Sequence, residues 1–255
     1  MDFATEATPG SVNEDFVVAG PGWAVVLDGA TPRPGVDSGC VHGPGWLVRR
    51  LGGELAGRLA LQGREPLADV LAASIKATSE AHARTCALDN PDSPSTTVTM
   101  LRWGDGVVQW LALADSPLLL DVGAEVRVIQ DDRVNKLPSY TTEAVRAARN
   151  SRGGFWVAST RPEAAYQALT GEAQGVRRAA LLSDGAARLV ERFGLMTWDE
   201  LLDLVDDEGP RELIRRTRRA EREQQVEGAR GKRFDDATAL LVRFGEARGH
   251  DKFRT

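Results

Sequence analysis

A chain of 255 residues, 42% hydrophobic and 27% charged, can bury a large core and has ordinary globular usage. Its formal net charge of −5 gives no electrostatic reason to expect nucleic acid or an anionic membrane as partner. Met1 to Glu6 lack a basic region followed by an apolar one, and no apolar run approaches the ~20 residues of a membrane span, so the reading excludes a signal peptide and a spanning helix and expects a cytoplasmic protein.

Residues 2–8 read as an edge strand closed by Pro9-Gly10. Residues 15–19 and 23–28 read as a hairpin turned by Gly20-Pro21-Gly22. Residues 31–45, with three prolines and four glycines, read as a loop. Leu47, Leu51, Leu55 and Leu59 recur at helical spacing over 46–61, and Pro66 opens a second helix through about Leu88. Strands follow at Ser95–Trp103, Val107–Ala114, Leu118–Val122 and Val126–Ile129, as a meander of antiparallel hairpins. Thr141–Asn150 reads as helical, Arg152–Val157 as a turn and short strand, and Pro162 opens a helix through about Leu169. Arg177–Ser183 is a strand and Ala186–Phe193 a helix. Thr197 and Glu200 have the spacing of a capping box for a helix to about Val205. Pro210 opens another through about Val226, and Ala239–Phe244 is the last strand. Strands and helices fall in blocks, which argues α+β with antiparallel sheets. One domain is expected over residues 1–245, with 246–255 as a polar tail.

The chemistry-bearing residues sit at the ends of apolar strands. Trp23-Ala-Val-Val-Leu27 runs into Asp28-Gly29, Ala179–Ser183 into Asp184-Gly185, and Leu111–Ala114 into Asp115-Ser116. Asn13-Glu14-Asp15 opens one strand and Asp235-Asp236 another. An acid at the tip of a buried strand is costly unless it is paired or bound to a metal, so several such ends point to one shared cation site.

The ordered set Asn13-Glu14-Asp15, Asp28-Gly29, Ser95-Thr96-Thr97, Asp115-Ser116, Ser183-Asp184-Gly185 and Asp235-Asp236 resembles the protein phosphatase 2C family of metal-dependent Ser/Thr phosphatases. The resemblance implies an α-β-β-α sandwich of two antiparallel sheets flanked by helix pairs, with a two-metal site in a cleft at one end. It implies hydrolysis of phosphate monoesters by attack of a metal-bridging water. Asp28 then bridges two Mn²⁺ or Mg²⁺ ions, with the Gly29 carbonyl on one of them. Asp184 and Asp236 hold the second ion, Asp15 holds water at the first, and Asp115 helps hold a weaker third. Oxygen donors suit these hard cations.

Several positions depart from the family pattern. Asp28-Gly-Ala-Thr-Pro32 lacks the later glycines, Ala30 stands where some members have a proton-donating histidine, and Thr8–Val12 lacks the arginine that holds the substrate phosphate. His42 is the candidate to supply the missing proton; a plain loop or helix-start histidine is the alternative. The three histidines share no ligand spacing, which argues against zinc. Cys40 and Cys86 likewise lack metal-ligand spacing and read as free thiols. Arg211, Arg215, Arg216, Arg218, Arg219 and Arg222 read as a solvated, ion-paired helix face. The expected substrate is a phosphoserine or phosphothreonine protein. A small phosphorylated metabolite, or a regulatory binding role with little catalysis, are the alternatives. Nothing in the sequence gives an oligomeric state.

Overall fold

The computed structural model describes residues 1–30, 35–61, 63–224 and 232–245. Strands β1 (Asp2–Glu6), β2 (Asp15–Gly20) and β3 (Trp23–Ala30) open the chain, followed by helices α1 (Pro44–Ala60) and α2 (Leu67–His82). Five strands come next: β4 (Ser95–Thr96), β5 (Val98–Gly104), β6 (Val107–Leu113), β7 (Leu118–Asp121) and β8 (Val126–Ile129). A 3₁₀ turn at Asp132–Lys136, helix α3 (Thr142–Ala148) and a second 3₁₀ turn at Pro162–Gln167 lead to β9 (Leu169–Gln174) and β10 (Arg178–Leu182). Helices α4 (Asp184–Glu191), α5 (Trp198–Asp207) and α6 (Pro210–Glu223) precede the last strand, β11 (Ala237–Arg243).

Two antiparallel sheets result. One has the order β1-β11-β10-β7-β8; the other has β2-β3-β5-β6-β9, with β4 paired to β3. Their central strands are buried on both faces, which is why they read as continuous apolar runs rather than alternating ones. Along β3, Ala24 and Val26 face the opposite sheet, whereas Trp23, Val25 and Leu27 face α1 and α2. Along β11, Leu240 and Val242 join the layer between the sheets, and Ala239 and Leu241 pack under α4, α5 and α6. The four-layer α+β sandwich is therefore written in strands whose two faces serve two cores. One outer layer is the expected helix pair; the other holds α5 and α6 plus the short α4.

The structure corrects the sequence reading in several places. The meander breaks after β6. Ala114 takes φ 68° and the chain crosses to the other sheet, so β6 pairs with β9, and β7 with β10. Strand β9 was not expected, because Leu-Thr-Gly-Glu-Ala-Gln buries only Ala173 and has no apolar period. The helix expected after Pro162 is a 3₁₀ turn, and α2 stops at His82. Segment 152–157 forms a turn and isolated bridges, and its Phe155 and Val157 fill a small separate core with Ala114. Thr197 and Glu200 do form the capping box of α5. The end expected for α6 beyond Gln224 and the tail 246–255 with His250 lie outside the described residues.

Helix α6 is also not a uniformly solvated face. Arg215, Arg216 and Arg219 pair with Glu212, Glu208 and Glu223 in the open. Arg218 and Glu221 instead turn inward and are buried. Glu221 accepts from Arg188 of α4 at 2.7 Å and from Arg218 at 2.7 Å, and Arg218 continues to Glu6 of β1. Removing the one acid shared by two buried guanidiniums breaks both pairs and leaves Arg188 paired with Asp235 and Arg218 with Glu6, and breaking a buried pair typically costs ~3–5 kcal/mol. Glu221→Ala should therefore lower the denaturant midpoint sharply, whereas Glu223→Ala on the exposed face should shift stability by less than ~0.5 kcal/mol. Chemical denaturation of the two variants checks this.

Candidate metal centre

The two acids of the first hairpin lie side by side. Asp15 opens β2 and Asp28 ends the apolar part of β3, and the antiparallel register sets them directly opposite each other. Such pairs project to the same face of a sheet. Asp28 is braced from three directions. Its N–H donates to Thr97 Oγ1 at 3.3 Å, while its carbonyl accepts from Thr97 N at 2.9 Å and Thr96 Oγ1 at 2.8 Å. Thr97 Oγ1 is tied in turn to Ser116 Oγ at 2.6 Å. The Ser95-Thr96-Thr97 and Asp115-Ser116 motifs thus hold the end of β3 in place.

Asp184 comes from the opposite sheet, at the first turn of α4. Its backbone N–H donates to Asp28 Oδ2 at 3.0 Å. The Asp28 carboxylate thereby satisfies one of the orphan donors at the start of α4, where negative charge is favoured. Both Asp-Gly glycines are there for close approach. A Cβ on Gly29 would lie 2.5 Å from the Glu14 carbonyl oxygen, and one on Gly185 would lie 1.8 Å from that of Asp236.

The two acids at the start of β11 divide their tasks. Asp236 accepts backbone N–H groups from Thr8 and Glu14, each at 2.6 Å, one on each oxygen. Asp235 is held at 2.6 Å by Arg188, and its charge acts on Asp28 and Asp184. The resemblance named Asp236 as the ligand of this pair. In the structure Asp236 braces the β1–β2 connection and its charge acts on Asp15, whereas Asp235 acts on Asp28 and Asp184. Two adjacent aspartates give no sequence signal for which of them faces the site.

The electrostatics are those of an uncompensated cluster. Burial drives Asp15 up to about 7, reinforced by the charges of Asp184 and Asp236 and moderated by the hydroxyls of Thr238 and Ser183. Burial, with the charges of Asp184 and Asp15, raises Asp28 well above the usual carboxylate range. Burial also lifts Asp184 to about 7, with Asp235 and Asp115 adding to it and Arg188 opposing. Asp115, at the crossing between sheets, is pushed up to about 6 by burial, with Glu191 and Asp131 contributing. Both carboxylate oxygens of Asp15 are sealed from solvent with no hydrogen bond of ordinary geometry. Like charges packed this way are stabilised by a cation, and the all-oxygen donor set fits Mn²⁺ or Mg²⁺.

His42 is engaged by the two cysteines and Trp46. Its Nδ1 lies 3.7 Å from Cys40 Sγ and 3.4 Å from Cys86 Sγ, and its ring stacks on Trp46. The two cysteines, read as unrelated thiols from their spacing, have their sulfurs 2.9 Å apart. His82, the last residue of α2, is buried with Nδ1 3.5 Å from Cys40 Sγ. Geometry thus brings together four Cys and His ligand atoms that the spacing did not connect.

With fold and site in hand, the comparisons are decisive for the family. The family model described as protein phosphatase 2C matches residues 6–229. The chain belongs to the protein phosphatase 2C family. No curated protein matches it in sequence. In structure it is similar to the catalytic domain of the serine/threonine phosphatase PstP in complex with two manganese ions, at 18% identity and TM-score 0.58, covering 94% of this chain and 96% of that one. It is similar to the phosphatase MsPP of Mycobacterium smegmatis, in complex with cacodylate, at 19% identity and TM-score 0.57, covering 95% and 97%. The phosphatase Stp1 of Staphylococcus aureus matches at 14% identity and TM-score 0.59, covering 95% and 94%. At these identities the structural likeness shows the fold; family membership makes the chain a metal-dependent phosphatase, a phosphoric-monoester hydrolase. Among the described residues no helix is long and apolar enough to cross a membrane.

The raised carboxylates make stability depend on pH when no metal is bound. Asp15, Asp115 and Asp184 bind protons more tightly folded than unfolded, where their pKa is about 4. Their contribution is complete below about pH 4 and is lost as pH rises through about 6 and about 7. In chelator, the melting temperature should rise as pH is lowered from about 8 to about 5, and Mn²⁺ should flatten the profile. Asp15→Asn should melt above wild type in chelator at pH 8. Asp236→Asn should melt lower at every pH, by an amount worth ~1–3 kcal/mol, because an amide nitrogen cannot accept from the backbone donor facing it. Thermal scans across pH check all three.

Proposed function

We propose that this phosphatase removes phosphate from phosphoserine and phosphothreonine in proteins, using a pair of Mn²⁺ or Mg²⁺ ions held by Asp28, Asp184 and Asp235. The observation that carries the reading is the convergence of these acids from both sheets into one group whose charge Arg188 offsets only in part. Gly29 would add a carbonyl and Asp15 would hold water beside the first ion. Asp115 would serve a weaker third. Asp236 is left out of the ligand set because both its oxygens accept backbone N–H groups.

When bound, two divalent cations supply the positive charge that acidifies a water and draws off negative charge from the phosphoryl oxygens. The chain's own residues provide position. The α4 N-terminus, Thr96 and Thr97 fix Asp28, and the Glu221–Arg188 pair fixes Asp235. Arg49 of α1 lies at the rim, donating to Gly45 O at 2.5 Å and reaching Asn13 O at 3.4 Å. It is our choice for the cation that receives the substrate phosphate, in place of the arginine missing from 8–12.

A protein substrate is favoured over a small metabolite by a second feature. A cavity of about 530 Å³ is lined by Arg133, Lys136, Arg152, Trp156 and Gln167. Arg133 is fixed by Asp131 at 2.7 Å, and Asp131 is close enough to act on Asp115. The cavity is thus a neighbour of the acidic group rather than part of it. A cationic, open surface beside the reacting group suits residues flanking a phosphoserine.

Turnover of p-nitrophenyl phosphate and of a phosphopeptide panel, with and without Mn²⁺, tests the reading. Asp28→Asn, Asp184→Asn and Asp235→Asn should each reduce metal-dependent turnover by more than ~100-fold. Arg49→Ala should raise KM for both substrates by about tenfold, the loss of one charge-assisted contact. Arg152→Glu should raise KM for phosphopeptides several-fold and spare p-nitrophenyl phosphate. The aryl ester should turn over faster than phosphoserine, because Ala30 provides no proton for an alkoxide and p-nitrophenolate needs none. Full activity of Asp235→Asn with none in Asp236→Asn would reverse the ligand assignment.

A further inference from the structure

We propose that Cys40, His42, His82 and Cys86 form a second metal site, closed and tetrahedral, for a zinc-class ion that clamps the loop after β3 onto the end of α2. Their four ligand atoms, two thiol sulfurs and two imidazole nitrogens, all lie within 4.8 Å of one another. The sulfur–nitrogen separations are 3.7 Å for Cys40–His42, 3.5 Å for Cys40–His82 and 3.4 Å for Cys86–His42. Zn–S and Zn–N bonds of about 2.3 and 2.0–2.1 Å at tetrahedral angles require about 3.5–3.6 Å. The sulfurs, 2.9 Å apart, would separate to about 3.8 Å in such a site. The change is under an ångström, and it relieves a contact that is tight for two thiols.

Local structure explains why the four meet. Cys86 N donates to His82 O at 3.1 Å, so the last turn of α2 continues just far enough to set residues 82 and 86 on one face. Cys40 and His42 are two apart in a loop that is sewn to the following segment by Ala87 N to Gly39 O at 2.8 Å and Asn90 Nδ2 to Asp37 O at 3.1 Å. Trp46 covers one side, 4.1 Å from the His42 ring and 5.0 Å from the His82 ring. His82 is buried and the other three are half-buried, so the group has one sheltered interior.

The donor chemistry separates this site from the acidic one. Two thiolates and two imidazoles select soft or borderline ions such as Zn²⁺, whereas carboxylates and carbonyls select Mn²⁺ and Mg²⁺. Each thiol gives up its proton on binding, and the imidazoles bind neutral. A disulfide between Cys40 and Cys86 is the competing reading. It would join the sulfurs at ~2.05 Å and leave two imidazole nitrogens aimed at them without a task. The clamp bears on the phosphatase site through chain connectivity. His42 is two residues before Pro44, the first residue of α1, and Pro44 packs where a side chain on Gly29 would reach it, at 3.0 Å.

Metal analysis of the full chain, purified with a non-thiol reductant and without added metal or chelator, tests the proposal. We expect about one zinc per chain, released by a mercurial thiol reagent and not displaced by excess Mn²⁺. Co²⁺ added to the stripped, reduced protein should give thiolate-to-cobalt charge transfer and the intense visible bands of a tetrahedral site. Cys86→Ser and His42→Ala should each weaken zinc binding at least ~10-fold and diminish the cobalt bands, while Asp28→Asn should leave both unchanged. His42 lies in a loop, so its truncation keeps the test open if Cys86→Ser fails to fold. Absence of zinc together with a cobalt spectrum lacking thiolate bands would overturn the site. So would a Cys40–Cys86 disulfide found by mass spectrometry in protein alkylated at cell lysis.

Discussion

Mutual repulsion among Asp15, Asp28, Asp184 and Asp235 is the constraint around which the rest of this structure is arranged. Carboxylates gathered where two sheets end are destabilising for the bare protein, and burial drives three of them far above their ordinary titration range. The surrounding fold offsets this with fixed partial and full positive charges. The first turn of α4 gives an N–H to Asp28, and Arg188 meets Asp235. Arg188 is itself anchored by Glu221, which also holds Arg218 against β1. A chain of alternating charges therefore runs from the outer helix layer to the site. What remains uncompensated is matched to divalent cations.

Two other features of the fold serve the same geometry. The chain passes between sheets at residues 114–117, so an acid on that crossing lies beside the group built from both layers. The glycines at 29 and 185 permit backbone contacts that any side chain would block, since a Cβ at either would fall inside van der Waals contact with a carbonyl oxygen. Neither glycine needs a left-handed backbone. They are there for space, and that space lets the end of β3 lie against Glu14 and the start of α4 against Asp236.

The Cys/His group adds a second, chemically distinct metal site about the same loop. Oxygen donors on one side and sulfur and nitrogen donors on the other keep the two ions from competing. The loop from 35 to 43 carries two of the soft ligands and delivers α1, whose Arg49 reaches the Asn13 carbonyl just before Asp15. A structural ion there ties the substrate-facing helix to α2 without spending any of the catalytic acids.

The sequence by itself determined most strands and helices and the antiparallel class, because doubly buried strands and 3.6-residue apolar periods are local patterns, and its ordered acidic motifs pointed to the family. It also located Asp15, Asp28, Asp115 and Asp184, since acids at the tips of apolar strands stand out against their neighbours. Only the tertiary structure shows how Asp235 and Asp236 differ, the one meeting Arg188 and the other bracing the β1–β2 connection. Adjacent residues at the start of a strand face opposite ways, and nothing local says which way is inward. It alone turned Arg218 and Glu221 inward from an otherwise charged helix, and it found β9, a polar edge strand defined by its hydrogen bonds to β6 rather than by composition. The Cys/His group shows the same limit most plainly. Cys40-x-His42 and His82-x-x-x-Cys86 lie some forty residues apart, and only the packing of a loop against a helix end brings their ligand atoms within bonding range of one ion.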